Sequence, residues 1–329
     1  MSRKVLITGA AGFAGFHLVN AALAKGMKVY AATRKDSDLR HLSHLPIRFV
    51  YPEYENANSL REMFDAHGFS YVIHAAGATK ANSQEAYNRV NAEITRKLAS
   101  AASRSDFKPV RFIFISSLAA LGPQAYDAPG PITESKKPVP VTQYGKSKLL
   151  AEQYLAEFGN LSKAILRPTA VYGPREKDLF IMLNTFAKGL EPYIGNRPQR
   201  FSFIYVKDLA DAVFEAVDSN IDSSWNLSDG NEYDRYALAQ YAKEILGVKT
   251  LKLHVPTGII SLLASGMEMF AGKNSTPTLN KDKLNELCAE NWFCSIAKAR
   301  EELGFNPQYN LKTGLQETLQ WYRANNWIK

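Results

Sequence analysis

Apolar residues fall into two alternating rhythms through the first half of this chain. Short, nearly uninterrupted apolar runs predict strands: "KVLIT" (4–8), "MKVYAAT" (27–33), "PIRFVY" (46–51), "SYVIHAAG" (70–77), "VRFIFISS" (110–117) and "KAILRP" (163–168). Between them the apolar positions recur at helical spacing. Phe13, Phe16, Leu18, Ala21 and Ala22 predict a helix over 12–25, and "NSLREMFDAHG" predicts one closed by Gly68. Further helices are expected over 85–103 and 143–158. Strands that are apolar on both faces and alternate with helices predict an α/β architecture, a doubly wound parallel sheet covered on both sides. The proline-rich stretch 123–140 reads as a loop, because strand and helix resume around it. Beyond residue 173 helices dominate. A strand is expected at "FSFIYV" (201–206), with short extended pieces at 224–227 and 250–255. The expected division is therefore a first domain over 1–173 and a smaller, mostly helical substrate lobe over 174–329, with segments such as 201–219 crossing back.

Composition narrows the functions open to this fold. The 329 residues are 46% hydrophobic and 22% charged, enough for a sizeable core. The net charge of +8 suits an anionic ligand, but its densest groups, Arg34-Lys35 and Lys136-Lys137, are short. A nucleic-acid binder would concentrate such charge in one patch, so no nucleic-acid partner is expected. Cys288 and Cys294 have no cluster of metal ligands beside them and supply no disulfide framework, so no metal and a cytoplasmic location are expected. The first strand begins at residue 4, without a signal-peptide layout. The most apolar later stretch, 255–273, is broken by Gly258, Gly266 and Glu268. It falls short of the roughly twenty apolar residues of a membrane span and reads as a core or pocket-lining helix.

The first strand–helix junction carries glycines at 9, 12 and 15. A glycine-rich turn between strand and helix is a phosphate site. The helix N-terminus offers unpaired N–H groups, and glycine lets the backbone approach a pyrophosphate. Gly9, Gly12, Phe13 and Gly15 are thus candidate residues for binding a dinucleotide. At the end of the second strand, an acidic side chain would bind the ribose 2′-hydroxyl of NAD. Thr33, Arg34 and Lys35 stand there instead. Arginine pairs with a 2′-phosphate that a carboxylate would repel, so NADP(H) is favoured, with NAD(H) as the alternative.

A second constellation lies in "VTQYGKSKLLAEQYL" (141–155). Tyr144 and Lys148 are four apart on a predicted helix and share a face. An ammonium beside a phenol favours the phenolate, which would let Tyr144 exchange a proton near neutral pH. "FIFISSLAALG" (112–122) ends its strand in Ser116 and Ser117, at the carboxyl edge where open α/β sheets bind ligands.

The glycine pattern, "HAAG" (74–77), Val90-Asn91, "ISSLAALG", Tyr144/Lys148 and "LRPTAVYGPR" (166–175) occur in that order. Together with "FIYVKDLADAV" and "AREELGFNPQYNLKTGLQETLQWYR", they make nearly the whole chain resemble the extended short-chain dehydrogenase/reductases, the NAD(P)-dependent epimerase/dehydratase family. The resemblance implies a Rossmann-type fold. It implies Tyr144 as general acid/base and Lys148 as the residue that lowers its pKa and holds the nicotinamide ribose. It implies Ser117, rather than Ser116, as the ligand of the reacting oxygen, and Asn91 as a support. Ala75, Ala76 and Gly77 would run along the cofactor and Pro168 would border the nicotinamide. Thr79, Ser117 and Arg175 would meet a small-molecule substrate, although Arg175 reads equally well as a surface salt bridge. A homodimer through the helices around 85–103 and 143–158 is also implied. Asp208 reads as a helix N-cap, and His17 and His74 as packing or hydrogen-bonding residues.

The family spans several reactions. Leu118, Ala119 and Ala120 follow the active-site hydroxyl where sugar dehydratases usually carry acids, so elimination of water is not expected. Where nucleotide-sugar epimerases commonly hold the diphosphate with arginine, this chain has Phe201, with Arg200 one residue off. Leu121 replaces the tyrosine expected before Gly122. These departures favour an oxidoreductase resembling the dihydroflavonol-reductase and 3β-hydroxysteroid-dehydrogenase branches. A UDP-sugar 4-epimerase with bound NAD is the alternative, and a dinucleotide sensor without catalysis a third class.

Overall fold

The structure, a computed structural model, describes residues 3–261 and 281–328. Most of the apolar segment 255–273 therefore lies outside the described residues. The six expected strands of the first half all form: β1 (Lys4–Thr8), β2 (Lys28–Ala32), β3 (Arg48–Val50), β4 (Tyr71–His74), β5 (Arg111–Ile115) and β6 (Lys163–Pro168). They belong to a seven-stranded parallel sheet ordered β11-β6-β5-β4-β1-β2-β3, with β11 (Ser223–Leu227) at one edge. This is the doubly wound arrangement, and its strand order reverses between β1 and β4, the usual place for a bound dinucleotide.

Alternation along the strands sends successive side chains to opposite faces. Val5, Ile7, Val29, Ala31, Ile73 and Ile113 pack with α1 (Phe13–Ala24) and α7 (Val206–Asp218). Leu6, Tyr30, Ala32, Val72, Phe112 and Phe114 pack on the other face with α2 (Ala57–His67), α4 (Ile94–Arg104) and α5 (Gln143–Ala156). A third core, including Tyr172, Phe186, Tyr205, Leu311, Leu315 and Tyr322, lies apart from the two that cover the sheet, and Tyr172 joins it from within the expected first domain 1–173. Separately from the large sheet, β7 (Ala170–Tyr172) pairs with β10 (Phe203–Tyr205), and β8 (Leu190–Ile194) with β12 (Leu251–Val255). Both α7 and β11 join the large sheet, α7 packed on its face and β11 paired with β6.

Two elements differ from expectation in ways that matter for the site. The helix expected over 85–103 is interrupted. It runs as α3 (Gln84–Asn88), a π-helical turn (Arg89–Glu93) and then α4. Such turns insert a residue into the helix and re-aim its side chains, here at Asn91. The strand expected over 201–206 divides into β9 (Arg200–Phe201) and β10, and α7 starts directly at Val206. Asp208 is consequently not an N-cap. It lies inside the first turn of α7, buried, and accepts the backbone N–H groups of Gln308 at 2.9 Å and Tyr309 at 3.0 Å. Its carboxyl ties the large sheet's α7 to the loop before the last helix, Leu311–Ala324.

Candidate functional site

The glycine-rich turn is built by close approach. Gly9 has φ +69°, and a Cβ on it would meet the backbone of Ala75 and Ala76 at 2.8 Å. The turn is thereby laid directly against the loop after β4. A Cβ on Gly15 would lie 2.1 Å from the Gly9 carbonyl, so α1 sits on β1 at a distance only glycine permits. Gly12 is the exposed N-cap of α1 and offers no side-chain cap, and the first turn holds no acid. The N–H groups of this end face outward beside half-buried Phe13. At the end of β2, Thr33 is buried and its hydroxyl has no partner. Arg34 and Lys35 are exposed, and the nearest carboxylate to Arg34, that of Asp36, is 3.6 Å away.

Three strands over, Ser117 caps a short turn (Leu118–Ala120) by accepting the Ala119 N–H at 3.2 Å. The close packing of Gly145 on the Ala119 carbonyl seats α5 against that turn. Tyr144 and Lys148 thereby arrive beside Ser117. Burial pushes the Tyr144 phenol above its usual value, and the group that pulls it down is the Ser117 hydroxyl. Lys148 does not take that part in this structure. Its ammonium donates to the Ile115 carbonyl at 2.8 Å and lies 4.8 Å from the centre of the Phe114 ring. Burial lowers the Lys148 pKa to about 8, against the opposing pull of Glu152.

Asn91 is fully buried and works as a staple. Its side-chain oxygen accepts the Ala78 N–H at 2.7 Å, and its amide donates to the Ala78 carbonyl at 3.0 Å and to the Ser147 hydroxyl at 2.9 Å. It thus joins the loop after β4 to α5. A Cβ on Gly77 would reach the Asn91 oxygen at 3.1 Å and Lys148 Nζ at 3.4 Å. Exposed Thr79 is tethered through its carbonyl to the Tyr87 hydroxyl at 3.2 Å, and the Tyr87 ring stands edge-on to Tyr144. Pro168 is the buried last residue of β6, the strand beside β5. Ser117, Tyr144, Lys148, Asn91, Ala75, Ala76 and Gly77 thus lie along one rim of the sheet. Arg175 does not join them. It stacks over Phe16 of α1, with 4.6 Å from guanidinium to ring centre.

Residues 5–228 match the NAD dependent epimerase/dehydratase family. The chain belongs to that family. Its members include NAD(P)-dependent dehydrogenases and epimerases. It is 27% identical to a ceramide reductase of Caulobacter vibrioides over 98% of this chain and 96% of that protein. It is also 27% identical to a decarboxylating sterol-4-alpha-carboxylate 3-dehydrogenase of Dictyostelium discoideum (96% and 99% covered) and to a UDP-glucose 4-epimerase of Vibrio cholerae (99% and 98%). Among solved structures, the UDP-glucose 4-epimerase of Thermotoga maritima superposes with a TM-score of 0.81 at 22% identity, covering 98% of this chain and 99% of that one. That solved structure shares this chain's fold.

Several supports of this epimerase/dehydratase-family site were not evident in the sequence. Asp282 caps α5, its carboxylate accepting the Gln143 N–H at 2.6 Å. Glu152, four residues past Lys148 on the same face, is buried against Arg167 and Ser116. The i, i+4 spacing from Tyr144 through Lys148 to Glu152 was the available signal. His74 is the centre of a buried chain of hydrogen bonds. The Ala76 N–H donates to Thr8 Oγ1 (3.1 Å), and the Thr95 hydroxyl donates to the Asn91 carbonyl (2.7 Å). With those directions set, His74 Nε2–H donates to Thr95 Oγ1 at 2.9 Å, and Nδ1 accepts from the Thr8 hydroxyl at 2.7 Å. The imidazole is neutral, and burial lowers its pKa to about 3. Between pH 6.5 and about 3 only the unfolded chain binds this proton, so the stability contributed by neutral His74 is present above pH 6.5 and lost on acidification. His74→Asn is expected to cost about 1–3 kcal/mol at pH 7 through unpaired buried groups. The same variant is expected to remove about 1.4 kcal/mol per pH unit of acid sensitivity below pH 6. Urea unfolding at pH 7 and pH 5 checks this, and equal slopes for both proteins would refute it.

Proposed function

We propose that this protein reversibly transfers a hydride between NADP(H) and a carbonyl/alcohol pair on an apolar small molecule. The observation that carries the reading is the convergence of Ser117, Tyr144, Lys148 and Asn91 at the carboxyl rim of the sheet, next to a turn of Leu118, Ala119 and Ala120 that brings no acid. The residues present fit a dinucleotide. The N-terminus of α1 carries no side-chain cap, the Thr33 hydroxyl at the end of β2 has no partner, and Gly9 and Gly77 follow the neighbouring strands β1 and β4. Gly12 and Phe13 would hold its pyrophosphate, Arg34 and Lys35 a 2′-phosphate, and Lys148 the nicotinamide ribose. When bound, the nicotinamide supplies or accepts the hydride.

The protein's own part is proton transfer and positioning. In the reductive direction Tyr144 Oη donates its proton to the substrate oxygen as negative charge develops there. Ser117 Oγ donates a hydrogen bond to the same oxygen. Lys148, seated by its bond to the Ile115 carbonyl, would hold the nicotinamide ribose next to Tyr144. Asn91 keeps the 77–78 loop and α5 at fixed separation while this happens.

Two observations support the oxidoreductase over the sugar epimerase. Arg200 is already engaged by both oxygens of Glu232, at 2.5 and 2.7 Å, and so is neutralised where a diphosphate would need it. The ceramide reductase and the sterol dehydrogenase are named for lipid substrates. The UDP-glucose 4-epimerase is the relative that favours the other reading. Calorimetry with NADP(H) and NAD(H), with and without UDP-sugars, followed by turnover on ketones, aldehydes and sterols, tests the proposal. Arg34→Leu is expected to weaken NADPH binding about 10-fold and leave NADH unchanged. Tight NAD binding accompanied by UDP-sugar binding would sink the reading.

A further inference from the structure

The loop between β7 and α6 (Asp178–Ala187) reaches back across the molecule to α1. Its Pro174 carbonyl meets His17 Nε2 at 3.0 Å, and the next residue, Arg175, lays its guanidinium on Phe16. Arg175 adopts φ +77°, left-handed backbone that a side chain other than glycine or asparagine rarely takes. The surrounding contacts hold it there against that strain. Phe16 also faces His41 from the loop after β2, with 5.6 Å between ring centres. Arg175 and His41 therefore flank one ring on the first turns of α1. The Ala11 backbone and Asp38 also adjoin His41.

Arg175 Nε and His41 Nε2 are buried and make no hydrogen bond, although the His41 ring also meets the Ala11 backbone, and the buried hydroxyl of Thr33 at the end of β2 is likewise without a partner. The obvious counter-charge is taken, because Asp38 is held by Arg40 through two bonds of 2.9 and 2.6 Å. Buried donors of this kind are costly unless a ligand satisfies them. The N-terminus of α1 adds its own unpaired N–H groups alongside. The ligand they suit is a dianion on the β2 side of the sheet. Thr33 follows β2 and Ser117 follows β5, three strands apart in the order β5-β4-β1-β2, a span of about 14 Å. Arg175 and His41 flank Phe16 on the first turns of α1, beside the glycine-rich turn, rather than joining Ser117 and Tyr144 after β5. The adenosine half of an extended dinucleotide is the part that would reach them.

We infer that Arg175 and His41 bind a phosphate group of the dinucleotide's adenosine half, so that a loop from the second lobe grips the cofactor rather than the substrate. This rests on the cofactor reading proposed above. Arg175 would supply charge-assisted hydrogen bonds to the phosphate, and His41 Nε2 a further bond to it. The phosphate is either the pyrophosphate or a ribose 2′-phosphate.

The test is calorimetric binding of NADP+, NAD+ and adenosine to the full-length protein and to R175M, R175G and H41N. R175G accepts the positive φ without strain, so it keeps the loop's backbone path while removing the cation. Both Arg175 variants are expected to bind NADP+ about 10- to 100-fold more weakly, and H41N about 10-fold more weakly, with adenosine binding unchanged. A loss confined to NADP+ assigns the contact to the 2′-phosphate, and an equal loss with NAD+ assigns it to the pyrophosphate. Wild-type affinity of R175M and R175G for both dinucleotides would overturn the inference. Wild-type protein that binds neither dinucleotide would overturn the cofactor reading itself, and this inference with it.

Discussion

Replacing Tyr144 with Phe is expected to lower turnover by about 10³-fold, within the range that a positioned general acid contributes, while dinucleotide affinity changes by less than about threefold. The substitution removes one oxygen and leaves the ring against Tyr87. It also leaves Lys148 bonded to the Ile115 carbonyl, so the rim keeps its shape. Ser117→Ala is expected to act in the same direction but less strongly, about 10²-fold, because it removes one hydrogen bond to the reacting oxygen. It should also shift the pH profile. The Ser117 hydroxyl is the group that opposes the upward push of burial on the phenol, so its loss moves the Tyr144 pKa further up and the oxidative limb toward higher pH. Steady-state kinetics in both directions, with cofactor binding measured on the same samples, checks both variants. Full activity in Tyr144→Phe would remove Tyr144 from the mechanism. Unchanged signalling behaviour with no turnover in either protein would identify a sensor.

The largest stability effect is expected at Glu152. Its carboxylate is buried and accepts Arg167 Nε at 3.0 Å and Nη2 at 2.6 Å, together with the Ser116 hydroxyl. Arg167 is buried too, and its remaining Nη1 already lacks a partner. Glu152→Leu leaves that guanidinium uncompensated in the interior and is expected to cost about 3–5 kcal/mol. Replacing both partners should be far milder, because Glu152→Leu with Arg167→Met removes the stranded charge as well as its partner. Urea unfolding of the two single variants and the double variant forms the cycle that measures this coupling. Glu152 also supports the charge on Lys148. With the carboxylate gone, the Lys148 pKa falls below about 8, so the fraction carrying an ammonium at pH 7.5 drops. The alkaline limb of the activity profile should move toward neutrality in Glu152→Leu. An unmoved limb would separate Glu152 from the site and leave it a purely structural partner of Arg167.

What could be read in advance was whatever depends on neighbours a few residues apart. Alternating apolar runs and helical stripes marked the strands and helices of the first half, because side-chain periodicity is a local property of the backbone. The glycine-rich turn from β1 into α1 was legible for the same reason. So was the shared face of Tyr144 and Lys148, four residues apart on α5. Even there the charge relation was not legible. Lys148 turns to the Ile115 carbonyl, and it is Ser117, brought by a different strand, that lowers the phenol.

The rest required the chain to be folded. His74 joins Thr8 to Thr95 only because β1 and β4 are neighbours in the sheet while α4 covers one face. Asp208 looked like a cap but serves a loop 100 residues further on, since β10 runs into α7 without a turn to cap. The π-helical turn at Asn91 broke a helix whose sequence pattern is continuous. Arg175 sits seven residues beyond Pro168 at the end of β6, yet its loop carries it to α1, and its position is set by contacts with residues some 160 positions earlier. Local patterning determined which elements form and which candidate side chains share a helix face. Strand order and lobe packing decided which distant side chains meet, because those contacts are chosen by burial and geometry across the whole chain rather than by spacing along it.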